Sequence, residues 1–175
     1  MAQRSGKKQG YQSWNTPPEV IDALHGFMPI SLDPCSNPHS MVGADVALSA
    51  PDCDGLAIPW HWYGHTYVNP PYDDQPLWMY KAALERRFYD AAHITMLIPS
   101  STETQGFQRE VFGTADAICF WSRRLRFWRE GVCPPKGGNT LPSALPYWGC
   151  EPERFAEHFS AHGTVVTDWH GKAAG

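Results

Sequence analysis

The sequence predicts an α/β fold: a mostly parallel sheet with helices on both faces. Three observations carry that expectation. Apolar periodicity switches repeatedly between helical and extended along the chain. One extended run, His93–Ile98, is apolar almost throughout, as a strand covered on both faces must be. Two other extended segments end in a polar side chain followed by a turn, the usual start of a ligand crevice beyond the carboxyl ends of parallel strands.

The elements follow in order. Val20, Ile21, Leu24 and Phe27 recur at helical spacing, with Asn15 or Thr16 placed to cap and Pro17 and Pro18 in the first turn, where a missing N–H is tolerated. Ile30–Asp33 reads as a first strand ending in a carboxylate. The stretch 34–65, rich in Pro, Gly, Ser and His, is too long for an idle connection. Thr66–Val68 is a second strand, and Gln75–Ala92 an amphipathic helix carrying Trp78, Ala82, Leu84 and Phe88. After the His93–Ile98 strand come a helix over 103–112, a strand over 117–121 and a Gly/Pro-rich segment over 131–142. A strand over 144–148, a helix over 152–162 and a strand over 164–167 complete the chain. There is no internal repeat. Asp33 and Asn69 fall at two strand ends that this topology brings to one crevice.

The chain has 175 residues, 42% of them hydrophobic, with 8 Trp, 7 Tyr and 8 Phe; that is enough for one core, expected over residues 11–170 behind a polar tail at 1–10. No apolar run approaches a membrane span, and the polar start lacks the apolar centre of a secretion signal. A cytoplasmic protein with no membrane partner is expected. Five scattered cysteines argue against a disulfide framework. With a net charge of −4, nucleic acid would have to be met by a local patch. Arg123, Arg124, Arg126, Arg129 and Lys136 form one, set against Glu130 and interleaved with Trp121, Phe127 and Trp128. The mixture fits a phosphate-contacting surface with stacking rings, and equally a solvated face whose aromatics turn inward.

Residues Asn69-Pro70-Pro71-Tyr72, directly after the second strand, carry the most specific chemistry. An amino group conjugated to an aromatic ring or amide is a poor nucleophile, because its lone pair is delocalised. An Asn side-chain oxygen and the carbonyl of Pro70 can each accept one of its N–H groups and localise that lone pair. Pro70 and Pro71 fix φ and stiffen the turn. Tyr72 offers a ring on which an extruded base can stack, worth about 1 to 3 kcal/mol. The pattern points to methyl transfer onto such an amine; taken alone, it is also an ordinary strand-ending turn.

Trp14-Asn15-Thr16-Pro17, Leu32-Asp33-Pro34-Cys35, Asp54-Gly55-Leu56 with Trp60, and Val68-Asn69-Pro70-Pro71-Tyr72 resemble, in order and spacing, the small phage-type DNA N6-adenine methyltransferases, the Dam-like family. Leu97-Ile98-Pro99 with Thr102, and Arg124-Leu125-Arg126-Phe127, resemble it too, so the likeness covers residues 11–148. It implies a Rossmann-like S-adenosylmethionine-dependent methyltransferase fold. It also implies methylation of adenine in double-stranded DNA by a phage or prophage protein; separately, a monomer or homodimer is expected. Trp14, Thr16 and Pro17 would close over the methionine end of S-adenosylmethionine. Asp33, with Pro34 and Cys35, would lie beneath it and pair with its ammonium. Asp54, Gly55 and Leu56 would meet its adenosine, and Asn69, Pro70, Pro71 and Tyr72 would form the catalytic motif, with Asn69 also facing the donor. The loops over 34–65 and 122–143 would contact DNA.

The chain departs from larger methyltransferases in having no glycine between Cys35 and Gly43. Asp45, Asp52 and Asp54 are all candidates for the ribose hydroxyls. Cys35, His39, Cys53, His61 and His65 lack the paired Cys-x2-Cys spacing of structural zinc sites, and no metal is expected. Ser100, Ser101 and Thr102 have no evident base and read as loop hydroxyls. Transfer to cytosine N4 or to a protein glutamine amide uses the same tetrapeptide, and a non-catalytic DNA-binding module is a further alternative.

Overall fold

The structure is a computed structural model and describes residues 14–90, 92–129, 132 and 141–169. The expected tail at 1–10 and most of the Gly/Pro-rich segment, with Lys136, lie outside the described residues.

Among the described residues, ten strands and three α-helices follow one another as β1 (Trp14–Asn15), α1 (Pro18–Phe27), β2 (Leu32–Asp33), β3 (Val46–Ala47), β4 (Thr66–Val68), α2 (Gln75–Phe88), β5 (Ile94–Met96), β6 (Ile98–Pro99), β7 (Ala117–Trp121), β8 (Trp128–Arg129), β9 (Ser143–Trp148), α3 (Pro152–Phe159) and β10 (Gly163–Thr167). A 3₁₀ turn, Tyr72–Asp74, leads into α2, and the expected helix over 103–112 is a π-helix, Phe107–Phe112. No helix among the described residues is long and apolar enough to cross a membrane.

The main sheet runs β10-β7-β9-β5-β4-β2-β3. Its β3, β2, β4 and β5 are mutually parallel, but β9 runs against both β5 and β7, and β10 runs against β7. The sheet is therefore mixed, which corrects the mostly parallel expectation. The reason is physical: all six residues of β9 are buried, and a strand covered on both faces reads the same in either direction. β6 continues β5 along β9 in one register, Ile94 opposite Trp148 and Pro99 opposite Ser143.

The helices do cover both faces. Successive strand residues point to opposite sides, so Tyr67, Cys119, Leu145 and Tyr147 meet Leu24 and Phe27 of α1 and Phe155 and Phe159 of α3. Val68, Met96, Ile118 and Trp148 meet Trp78, Met79 and Ala82 of α2 and Phe107 and Val111 of the π-helix. Phe27 stands edge-on to both Tyr147 and Phe155, each at 5.6 Å. Each such ring or aliphatic side chain taken from water contributes about 1.5 to 3 kcal/mol.

Two local expectations change. Asn15 and Thr16 do not cap α1; Pro17 occupies that position with no side-chain bond. And β1, too short to show any periodicity, pairs antiparallel with β8, Trp14 opposite Arg129 and Asn15 opposite Trp128.

Candidate active site

A cavity of about 320 Å³ opens beyond the carboxyl ends of β2 and β4. Trp14, Thr16, Asp33, Pro34, Cys35, Asp54, Gly55, Leu56, Asn69, Pro70, Pro71 and Tyr72 all line it. Four sequence-distant motifs thus meet at one place. Pro17 does not line it; its carbonyl accepts the amides of Val20 and Ile21 and starts α1.

Asp33 closes β2 and is 3% exposed. Its Oδ1 accepts the Cys35 amide at 3.1 Å and its Oδ2 the Ser40 hydroxyl at 3.4 Å. Burial still dominates and raises the carboxyl to about 6, against the lowering pull of these donors and of Ser36. Among the described residues no cationic side chain pairs with it. Cys35 beside it is pushed well up by burial and by the charges of Asp33 and Asp74, so it stays a neutral thiol and no nucleophile.

The adjoining wall is held by close packing. A Cβ on Gly55 would lie 1.8 Å from the Pro34 carbonyl oxygen, so only glycine lets these two backbones touch. The Gly55 carbonyl accepts the Trp60 indole N–H at 2.8 Å, and Trp60 stacks on Trp78 of α2. Lys81 sits over the Trp60 ring and pairs with buried Glu85, which also accepts His61 Nδ1 at 2.7 Å. This explains the spacing from Asp54 to Trp60: the segment is braced against α2. Asp54 itself accepts the Leu56 amide at 3.0 Å.

Asn69 leaves β4 into the stiff Pro70-Pro71 turn. Its Nδ2 donates to the Trp14 carbonyl at 3.0 Å. A carbonyl can only accept, so this bond sets which way the amide points and leaves Oδ1 as the lobe that accepts. Trp14 is placed by β1, and the neighbouring residues are locked as well. Asn15 donates to the His39 carbonyl and accepts from Asn37 Nδ2, and the Thr16 hydroxyl meets the Tyr67 hydroxyl at 2.7 Å. The would-be caps instead tie the amino-terminal segment to the loop after β2 and to β4.

Arg123, Arg124, Arg126 and Arg129 are exposed, whereas Leu125 and Phe127 between them are buried. Trp121 is also in the core, stacked on His162 at 5.1 Å, so two of the three interleaved aromatics are packing residues rather than stacking platforms. Pairing of β8 with β1 sets Arg129 across from Trp14, which itself lines the cavity.

His65 and His61 are engaged elsewhere. His65 is buried between the Met28 carbonyl and the Thr95 hydroxyl, and burial lowers it to about 4. His61 is bound to Glu85 and stacked on Tyr89. Among the described residues no three His, Cys, Asp or Glu side chains stand together in reach of one metal ion. Asp45 and Asp52 are not on the cavity wall. Asn37, Ser36, Ser40, Asp74 and Trp78 are there, and sequence reasoning missed them. Asp74 had a signal, since it follows the tetrapeptide by two residues.

A buried carboxylate and an amide whose oxygen is left to accept thus share one cavity. No curated protein matches the chain. The family model described as DNA N-6-adenine-methyltransferase (Dam) matches residues 3–154. The chain belongs to that family and is an adenine-specific DNA methyltransferase.

Proposed function

We propose that the chain takes the methyl group from S-adenosylmethionine and places it on N6 of an adenine flipped out of duplex DNA. The observation that carries the reading is the bond from Asn69 to the Trp14 carbonyl, because it presents Oδ1 as an acceptor on the cavity wall. The residues fit the donor. Asp33, buried and without a cationic partner among the described residues, suits a methionine ammonium. Leu56 and Trp78 offer apolar surface for an adenine, and the Thr16, Ser36 and Asn37 side chains offer polar groups for the remainder.

S-adenosylmethionine supplies a methyl on a positively charged sulfur, ready for in-line attack. The protein does the rest. Asn69 Oδ1 and the Pro70 carbonyl accept the two N–H groups of the adenine amine and localise its lone pair. Pro70 and Pro71 hold both oxygens in place beforehand, and Tyr72 supports the base. The lone pair forms the new C–N bond while the S–C electron pair stays on sulfur. One N–H proton then leaves to solvent, since neither Asn69 nor a peptide carbonyl can retain it.

The arginines from Arg123 to Arg129, with Lys136, would meet the phosphates, and the loops over 34–65 and 122–143 would read the sequence. The sheet resembles a Rossmann-like arrangement in its β3-β2-β4-β5 half, which bears the cavity. A phage or prophage origin and a reducing cytoplasmic setting suit a chain whose described cysteines are all free.

Asn69→Ala tests the reading. Calorimetry should show donor binding little changed while methylation of duplex DNA falls by about 100-fold or more. Nucleoside mass analysis of the wild-type product should show N6-methyladenine. Undiminished activity in the variant would end the proposal.

A further inference from the structure

We infer that Asp74 makes the donor cavity discriminate by charge, favouring a cationic sulfonium over the neutral thioether that remains after methyl transfer. The inference rests on the donor proposed above and assigns a specificity-determining residue within its site.

Asp74 is the residue at the N-cap of α2, where an aspartate carboxylate ordinarily accepts a backbone amide of the first turn. Here it makes no such bond. Among the described residues its carboxylate has neither a hydrogen-bond nor an ion-pair partner, and it lies on the cavity wall. It is close enough to Cys35 to act on that thiol by charge alone. The other two carboxylates on the wall are engaged, Asp33 with the Cys35 amide and Asp54 with the Leu56 amide. Among the described residues no Lys, Arg or His lines the cavity. An uncommitted negative charge therefore faces a ligand without a cation on the same wall to neutralise it.

Donor and product share their ammonium and carboxylate. They differ by one methyl group and, with it, one positive charge on sulfur. A single carboxylate acting on that charge across a partly solvated cavity biases binding by about three- to tenfold. The bias acts against the product, weakening its hold relative to that of the donor that replaces it.

The test compares S-adenosylmethionine with S-adenosylhomocysteine by calorimetry on the wild type and on Asp74→Asn. Asparagine caps helices as well as aspartate, so the variant should fold normally. The ratio of the two dissociation constants should shift by about three- to tenfold towards the thioether in the variant, almost wholly through weaker binding of the sulfonium. Added salt should narrow the wild-type preference and leave the variant's ratio nearly unchanged. An unchanged ratio, or equal weakening of both ligands, would overturn the inference while leaving the proposed function standing. A wild type that binds neither molecule would overturn the donor assignment and the inference with it.

Discussion

Replacing Asp33 with asparagine should stabilise the ligand-free protein and cripple it as a methyltransferase. Burial holds this carboxyl at about 6 instead of the ordinary 3.8. Each pH unit of that difference corresponds to about 1.4 kcal/mol, so the ionised side chain costs the fold about 3 kcal/mol at neutral pH. The sign follows from which state holds the proton more tightly. Because the folded carboxyl is the weaker acid, its favourable contribution is fully present below about pH 3.8 and is lost as pH rises through about 6. The amide oxygen of the introduced asparagine can still accept the Cys35 amide, and the Ser36 and Ser40 hydroxyls can rotate to accept its N–H groups. Urea denaturation should therefore find Asp33→Asn more stable than the wild type by about 1 to 3 kcal/mol at pH 8, with the gain fading below pH 6. Calorimetry should find that wild-type affinity for S-adenosylmethionine falls about tenfold per pH unit below about 6, as the carboxylate proposed to pair with the ammonium is protonated. The variant should bind weakly at every pH. A variant less stable than the wild type at pH 8, or wild-type affinity that is flat from pH 5 to 8, would refute the reasoning.

Gly55→Ala places a Cβ 1.8 Å from the Pro34 carbonyl oxygen, a backbone atom that cannot step aside. Urea denaturation should show a loss of about 2 to 4 kcal/mol, with weaker donor binding as Asp54 and Leu56 shift; wild-type stability would mean that the two segments are not in contact. Alanine at Arg124 or Arg126 should lower the slope of log affinity against log salt by about 1 per residue on any duplex, with donor binding untouched. An unaltered slope removes that arginine from the DNA surface.

Much of the fold was legible because burial writes a period into the sequence. Val20, Leu24 and Phe27 announced α1, and the apolar run at His93–Ile98 announced the central strand. The candidate site residues stood out for a different reason: Asp33 and Asn69 each sit where an apolar strand stops, and both line the cavity there. What was not legible was non-local. Neither the direction of β9 nor the two-residue pairing of β1 with β8 leaves a local mark, because each is decided by a partner strand far along the chain.

Asn15 and Thr16 show the limit most clearly. As helix caps they satisfy every local rule, yet Asn15 is engaged with His39 and Asn37, and Thr16 with Tyr67. Sequence alone determined which side chains were candidates, because the proposed chemistry asks for an amide acceptor followed by a stiff turn, and Asn69 with Pro70 and Pro71 is that pattern. Only the tertiary structure decided how these candidates are held. The orientation of the Asn69 amide depends on a carbonyl 55 positions away, and the acidity of Asp33 on how completely other segments exclude water from it.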